Sequence, residues 1–178
     1  MNRSGSLAIR CAALLAAAAA ICLRAPRLLT DPRFWTEEGF VYFQDALDRG
    51  LAALPAPHMD YYSLVMNVAA QAARLVPLES APLVTTLFAL GVQLLSPALV
   101  LWSRAPFLER PWARGAALAF TVVTPLSGYI WLNAVTSHFH LALVAALVLC
   151  EPLEPLTGRR RVALRTLLVV AGLGGPAT

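Results

Sequence analysis

Phe34-Trp35-Thr36-Glu37-Glu38-Gly39-Phe40 sets two adjacent carboxylates immediately after an apolar N-terminal run. Six of the chain's ten acids fall between Asp31 and Asp60. Acids gathered just outside an apolar segment either decorate a solvated loop or build a site at a membrane surface. At 100° per residue, Phe40, Phe43 and Leu47 share an arc with Tyr42 and Ala46. Glu37, Glu38, Asp45 and Asp48 fall on the opposite arc. Residues 36–48 are too short and too charged to span a bilayer. They read as an amphipathic helix lying on its surface. Thr36 is the expected N-cap, the two glutamates suit the positive end of the helix dipole, and Gly50 ends the helix.

The surroundings make this a membrane reading. The chain has 178 residues, of which 58% are hydrophobic and 13% charged, with a mean hydropathy of +0.66. A soluble domain carries about 45–50% apolar and about 25% charged residues. So few polar groups cannot cover a globular surface. All fourteen basic residues are arginine, and the net charge is +4. No basic face with aromatic or polar readers suggests nucleic-acid binding. Cys11, Cys22 and Cys150 have no metal-ligand spacing and read as small apolar filler.

The expected architecture is an all-α integral membrane protein. It is a single module of about four to five transmembrane helices plus the interfacial helix. Residues 7–23 read as an uncleaved anchor, with a cleaved signal peptide led by Arg3 and Arg10 as the competing reading; 61–76 and 83–102 are spans, and 115–128 is a half or kinked helix broken at Thr124-Pro125-Leu126-Ser127-Gly128. Residues 129–150 form a further span. Residues 162–178 read as an incomplete one, dissolving into Gly172, Gly174, Gly175 and Pro176. With the N-terminus inside, the acidic loop is outside. A half-helix at 115–128 then leaves Arg159–Arg161 inside, as the positive-inside tendency asks, and puts Arg104, Arg110 and Arg114 outside.

Polar residues on the spans are the binding candidates. Ser63, Asn67, Gln71 and Arg74 recur at helical spacing, as a stripe facing a bundle interior or cavity. Arg74 can fork onto a lipid phosphate or snorkel to the interface. Asn133, Ser137 and His140 form a second stripe, suited to interhelical hydrogen bonds or to a ligand. Glu37 or Glu38 can act as general base toward a sugar hydroxyl, or help hold a divalent metal ion, the one cofactor this chemistry admits. Ordinary dipole-complementing acids are the alternative.

The first span followed by Trp35-Thr36-Glu37-Glu38-Gly39 resembles the first loop of GT-C glycosyltransferases, with Glu-Glu where aspartate is commoner. Pro55-Ala-Pro-His-Met-Asp-Tyr-Tyr-Ser63, leading to Arg74 and Pro77, resembles the start of their second span. The Pro125 break, the Asn133–His140 segment and the Gly172–Pro176 turn also look like the early part of that module. The resemblance implies sugar transfer from a polyprenyl-phosphate carrier to an acceptor on the outer face of a bacterial inner membrane. It implies Glu37 or Glu38 in the catalytic acidic motif and Arg74 on the carrier phosphate. It covers only the N-terminal part of such an enzyme, so the chain alone is expected to be a truncated, inactive homologue. The rival reading is a small non-enzymatic multi-span protein, an assembly or transport subunit, with solvated acids and polar stripes that join helices.

Overall fold

The computed structural model describes residues 3–58, 60–123, 130–152 and 158–174, with side chains from Leu7 onward. The expected break at 124–128, and Gly175 and Pro176, lie outside the described residues. Among those residues the chain is all-helical and contains no strand; His58 and Tyr61 form one isolated antiparallel bridge. The helices are α1 (Arg3–Cys22), α2 (Arg27–Thr30), a π-helical stretch (Glu38–Phe43) running into α3 (Gln44–Arg49), α4 (Leu64–Ala73), α5 (Ala81–Trp102), α6 (Pro111–Val123), α7 (Ser137–Leu149) and α8 (Gly158–Gly172). Short 3-10 turns cover Gly50–Ala53 and Pro106–Leu108.

α5 is the axis. Among the described residues it is the one helix long and apolar enough to cross a membrane by length and composition. Its 22 residues reach about 33 Å at 1.5 Å per residue. Pro82 sits in the first turn, where no N–H is needed. Pro97 lies inside the helix and removes one backbone donor.

α4 packs antiparallel to the first half of α5. Val65 clusters with Val92, while Ala73 clusters with Ala81. Alanines at 69, 70 and 73, all essentially inaccessible, let the two backbones approach closely. α7 runs parallel to α5: Ala134, just before it, clusters with Ala89, and Val144 and Val148 pack on Leu95 and Leu99. α8 returns alongside α7 until the Leu173 carbonyl accepts the Leu64 N–H at 2.8 Å. A Cβ on Gly174 would lie 2.4 Å from Leu141 Cδ1, so any larger residue at this close crossing would have to displace the leucine side chain. The end of α1 (Ala17, Ile21) and the end of α6 (Val122) meet Trp131 and Leu132 beside α5.

Several expectations change here. Residues 61–76 were expected to span. The helix that forms is ten residues long, about 15 Å, roughly half of a bilayer core. Its first residues are diverted instead. The Tyr62 hydroxyl donates to the Leu54 carbonyl at 3.1 Å, Tyr61 pairs with His58, and the Ser63 hydroxyl caps the helix by accepting from the Met66 N–H at 3.4 Å. α6 and α7, at thirteen residues each, are likewise shorter than a bilayer core, the expected 129–150 span being a turn followed by α7. The two arginine clusters share one end of the bundle. Arg114 Nη2 donates to the Ser103 carbonyl at 3.1 Å, and Arg160 Nη2 to the Trp102 carbonyl at 2.9 Å. The expectation that they lie on opposite sides does not hold.

Candidate functional site

The acidic turn is built around Glu38. Its carboxylate is buried, at 3% exposure. Oε2 accepts from the Trp35 N–H at 3.2 Å and the Thr85 hydroxyl at 3.1 Å, and Oε1 accepts from the Ala134 N–H at 2.9 Å. The bond to Trp35 is one half of a capping box, a glutamate in the first helical turn reaching back to the N-cap N–H. Trp35 thus fills the cap position expected of Thr36. The other two bonds tie the turn to α5 and to the segment before α7. Burial pushes the Glu38 carboxyl above the ordinary 4.5, against the lowering effect of its three donors. Once protonated, Oε2 can donate to the Thr85 hydroxyl, which lies 2.9 Å from the Pro82 carbonyl and passes its own hydrogen there.

The expected amphipathic faces are rearranged accordingly. Glu38, Tyr42, Phe43 and Ala46 point inward, while Phe40 is 82% and Leu47 51% exposed. The 38–43 stretch is π-helical, with the Gln44 N–H reaching the Gly39 carbonyl five residues back. The buried residues still share one arc at helical spacing, but that arc runs from Glu38 through Tyr42 and Ala46 to Phe43, because the bonds of Glu38 to Thr85 and to the Ala134 N–H draw its side of the helix inward. Glu37 remains partly exposed. Around this turn an open groove of about 470 Å³ is walled by Phe34, Trp35, Phe40, Phe43, Leu47 and Leu78, with Thr36 and Gln44 supplying polar edges.

The α4 stripe faces the 50–56 loop and not a ligand cavity. Asn67 Nδ2 donates to the carbonyls of Leu54 and Ala56, both at 2.9 Å. Gln71 Nε2 donates to the Gly50 carbonyl at 2.6 Å, and Gln71 Oε1 accepts from Arg74 Nε at 2.6 Å. Asn67 and Gln71, expected to bind substrate, are therefore engaged by backbone. Arg74, half-buried at the end of α4, alone keeps its terminal nitrogens for another partner. Gly50 sits at φ 57°, a conformation glycine adopts without strain, and so presents its carbonyl to Gln71. Outside this loop Asp45 and Arg49 form a bidentate pair one turn apart, and the Arg49 bond holds the Asp45 carboxyl below its ordinary 3.8. His58 Nε2 lies 3.3 Å from Asp45 Oδ2, close enough for attraction but misaligned for a hydrogen bond.

The expected Asn133–Ser137–His140 stripe does not form, because residues 130–136 are a turn and α7 begins at Ser137. Asn133 Oδ1 accepts from the Val135 N–H at 2.9 Å inside that turn. Gln93 clamps it, donating to the Ile130 carbonyl at 3.0 Å and accepting from the Leu132 N–H at 3.3 Å. The clamp offsets strain at Leu132, whose φ of 53° is unfavourable for a residue with a Cβ. His140 is buried against Trp131, 5.8 Å between ring centres, and its Nε2 is buried without a hydrogen-bond partner among the described residues.

Sequence reasoning missed a second buried carboxylate, Glu151, at the far end of α5. It accepts from the Ser103 hydroxyl and from the Arg104 N–H at 3.1 Å, and pairs with Arg160 Nη2 at 2.7 Å. An acid directly after a long apolar run and before Pro152 was the available signal.

No family model matches the chain, and no curated protein or solved structure matches it either.

Proposed function

We propose that the chain is a membrane-embedded helical module of the GT-C glycosyltransferase kind, in a bacterial inner membrane, with the Trp35–Glu38 turn as its acidic loop. Glu38 is the positioning carboxylate. It fixes the turn from three sides and is too enclosed to meet a substrate. Glu37, the half-exposed neighbour, is the candidate general base, taking the proton of an acceptor hydroxyl as that oxygen attacks the sugar. The aromatic groove beside the turn suits the apolar and sugar parts of a polyprenyl-phosphate donor, and Arg74 offers the guanidinium for its phosphate. The observation that carries this reading is a glutamate pair divided between a buried anchor, Glu38, and a partly exposed neighbour, Glu37, on a turn whose residues Trp35, Thr36, Gly39 and Phe40 wall an open aromatic groove.

Membrane embedding is supported by what the helices turn outward. Ile9 and Leu15 on α1, Phe120 on α6, Phe139 on α7 and Val169 on α8 are all more than half exposed. A solvated monomer does not tolerate that much outward apolar surface. Four to five crossings remain part of the proposal. In that frame the acidic turn lies outside and both arginine clusters inside. A divalent metal does not fit Glu38: N–H and O–H donors point at both of its oxygens. Among the described residues no three acids, histidines or cysteines converge on one point. No step is therefore assigned to a metal.

Photo-crosslinking of the full chain in membranes with a polyprenyl-phosphate sugar analogue tests this. Arg74→Gln is expected to weaken labelling about tenfold, the equivalent of one charge-assisted contact. Labelling unchanged by Arg74→Gln, with the fold intact, would remove the carrier site. The non-enzymatic alternative predicts no labelling above that of a neutral lipid.

A further inference from the structure

We infer that the arginine-bearing end of the bundle is a binding surface for the headgroups of anionic phospholipids. This rests on the membrane embedding proposed above, but not on the transferase activity. Two runs that are distant in sequence, 104–114 and 158–165, converge on the C-terminus of α5 through the Arg114–Ser103 and Arg160–Trp102 bonds. Arg160 is neutralised by Glu151. Arg110, Arg159 and Arg161 are exposed, and Arg165 lies one turn beyond Arg161 on the same face of α8. Among the described residues, the acids at this end are Glu109, exposed, and buried Glu151.

The arginines of α8 are also in an electrostatically unfavourable place. They occupy the first turn of a 15-residue helix that has no acid there, where the helix dipole repels cations. Arg160 has a compensating carboxylate; among the described residues Arg159 and Arg161 have none. The aromatic residues indicate where a balancing anion comes from. Trp112 is 69% and Phe107 53% exposed, beside Arg110. Exposed aromatic rings among arginines are the pattern of a protein surface at headgroup depth. A guanidinium matches a phosphodiester through paired N–H donors, and juxtamembrane arginine clusters attract anionic lipid. The opposite end, with its acids at Asp31, Glu37, Asp48 and Glu79, has the wrong balance for the same ligand.

The test uses the full chain in mild detergent, offered equimolar phosphatidylglycerol and phosphatidylcholine, with retained lipid counted by native mass spectrometry. Wild type should retain phosphatidylglycerol selectively. The triple variant Arg110→Gln, Arg159→Gln, Arg161→Gln should bind it about a hundredfold more weakly, at roughly fivefold per arginine. Arg27→Gln, Arg33→Gln, Arg49→Gln at the opposite end should leave retention unchanged. Selectivity that survives the first triple, or that falls equally in the second, overturns the assignment. Helical circular dichroism confirms that each variant is folded. Release of wild-type chain from membranes by alkaline carbonate would overturn both the embedding and the lipid surface. A chain that stays embedded yet shows no lipid preference overturns the lipid surface alone.

Discussion

Glu38 and Glu151 are both buried carboxylates, one near each end of α5, and they are stabilised by different means. Glu151 has a cation: Arg160 reaches it at 2.7 Å, with the Ser103 hydroxyl and the Arg104 N–H completing the shell. Glu38 has only neutral donors, two backbone N–H groups and one hydroxyl. In a buried ion pair the mutual attraction offsets part of each partner's desolvation cost. A carboxylate among neutral donors sits closer to the neutral form, since burial penalises its charge. The Glu151 end is thus an electrostatic lock. The Glu38 end is a hydrogen-bonded hinge point whose charge depends on pH.

Removing one half of the lock should have the largest effect. Glu151→Ala strands Arg160 and is expected to cost about 3 kcal/mol, the lower end for a broken buried pair because Arg160 is part-exposed. Detergent unfolding midpoints measure this, and adding Arg160→Met should restore much of the loss. A single variant as stable as wild type would mean that the pair contributes no net stability.

Next comes the hinge point. Glu38→Gln keeps the shape but faces an amide N–H toward existing donors, a loss of about 1–2 kcal/mol where wild-type Glu38 is protonated. The folded carboxyl is raised above 4.5, so its stability contribution is full below 4.5 and is lost as pH rises through the folded value. Wild-type stability should therefore fall across that window while the Gln variant stays flat, and the gap between them should narrow. Parallel pH profiles would show that Glu38 titrates alike in the folded and unfolded chains. Asp45 has the opposite sign: its carboxyl is depressed, so its contribution is present above 3.8 and is lost only as pH falls below that.

Smaller effects sharpen the same contrast. Asn67→Ala removes two bonds from the 50–56 loop, at about 1 kcal/mol, and should speed hydrogen exchange there while leaving the Glu151 end protected. Equal loosening at both ends would make the two regions one cooperative unit. Asp45→Asn breaks a solvent-screened pair, so the contribution it removes at neutral pH should be small, close to the scatter of the unfolding midpoint. A clear shift would mean that this pair, with His58 beside it, braces the loop.

Much of the local structure was legible. Gly50 as a helix stop and α5 as the long apolar helix follow from side-chain chemistry at single positions, whereas Ser63, which reads as part of a stripe within a span, is the cap of α4. The inward turn of Glu38 did not follow, because helical periodicity reports which residues share an arc but not which arc meets Thr85 and the Ala134 N–H. Nor did the short α4: an apolar run with a polar stripe looks the same whether its amides meet a ligand or the carbonyls of Gly50, Leu54 and Ala56.

The chain's composition and order alone determined that it is helical, apolar and charged at its turns, since propensity, caps and prolines act within a few residues. Tertiary structure decided which acids are inside and what meets them. The donors to Glu38 stand 3, 47 and 96 residues away. Ser103 stands 48 residues from Glu151. Desolvation of a carboxylate is set by everything that surrounds it in space, and no local pattern records neighbours at that separation.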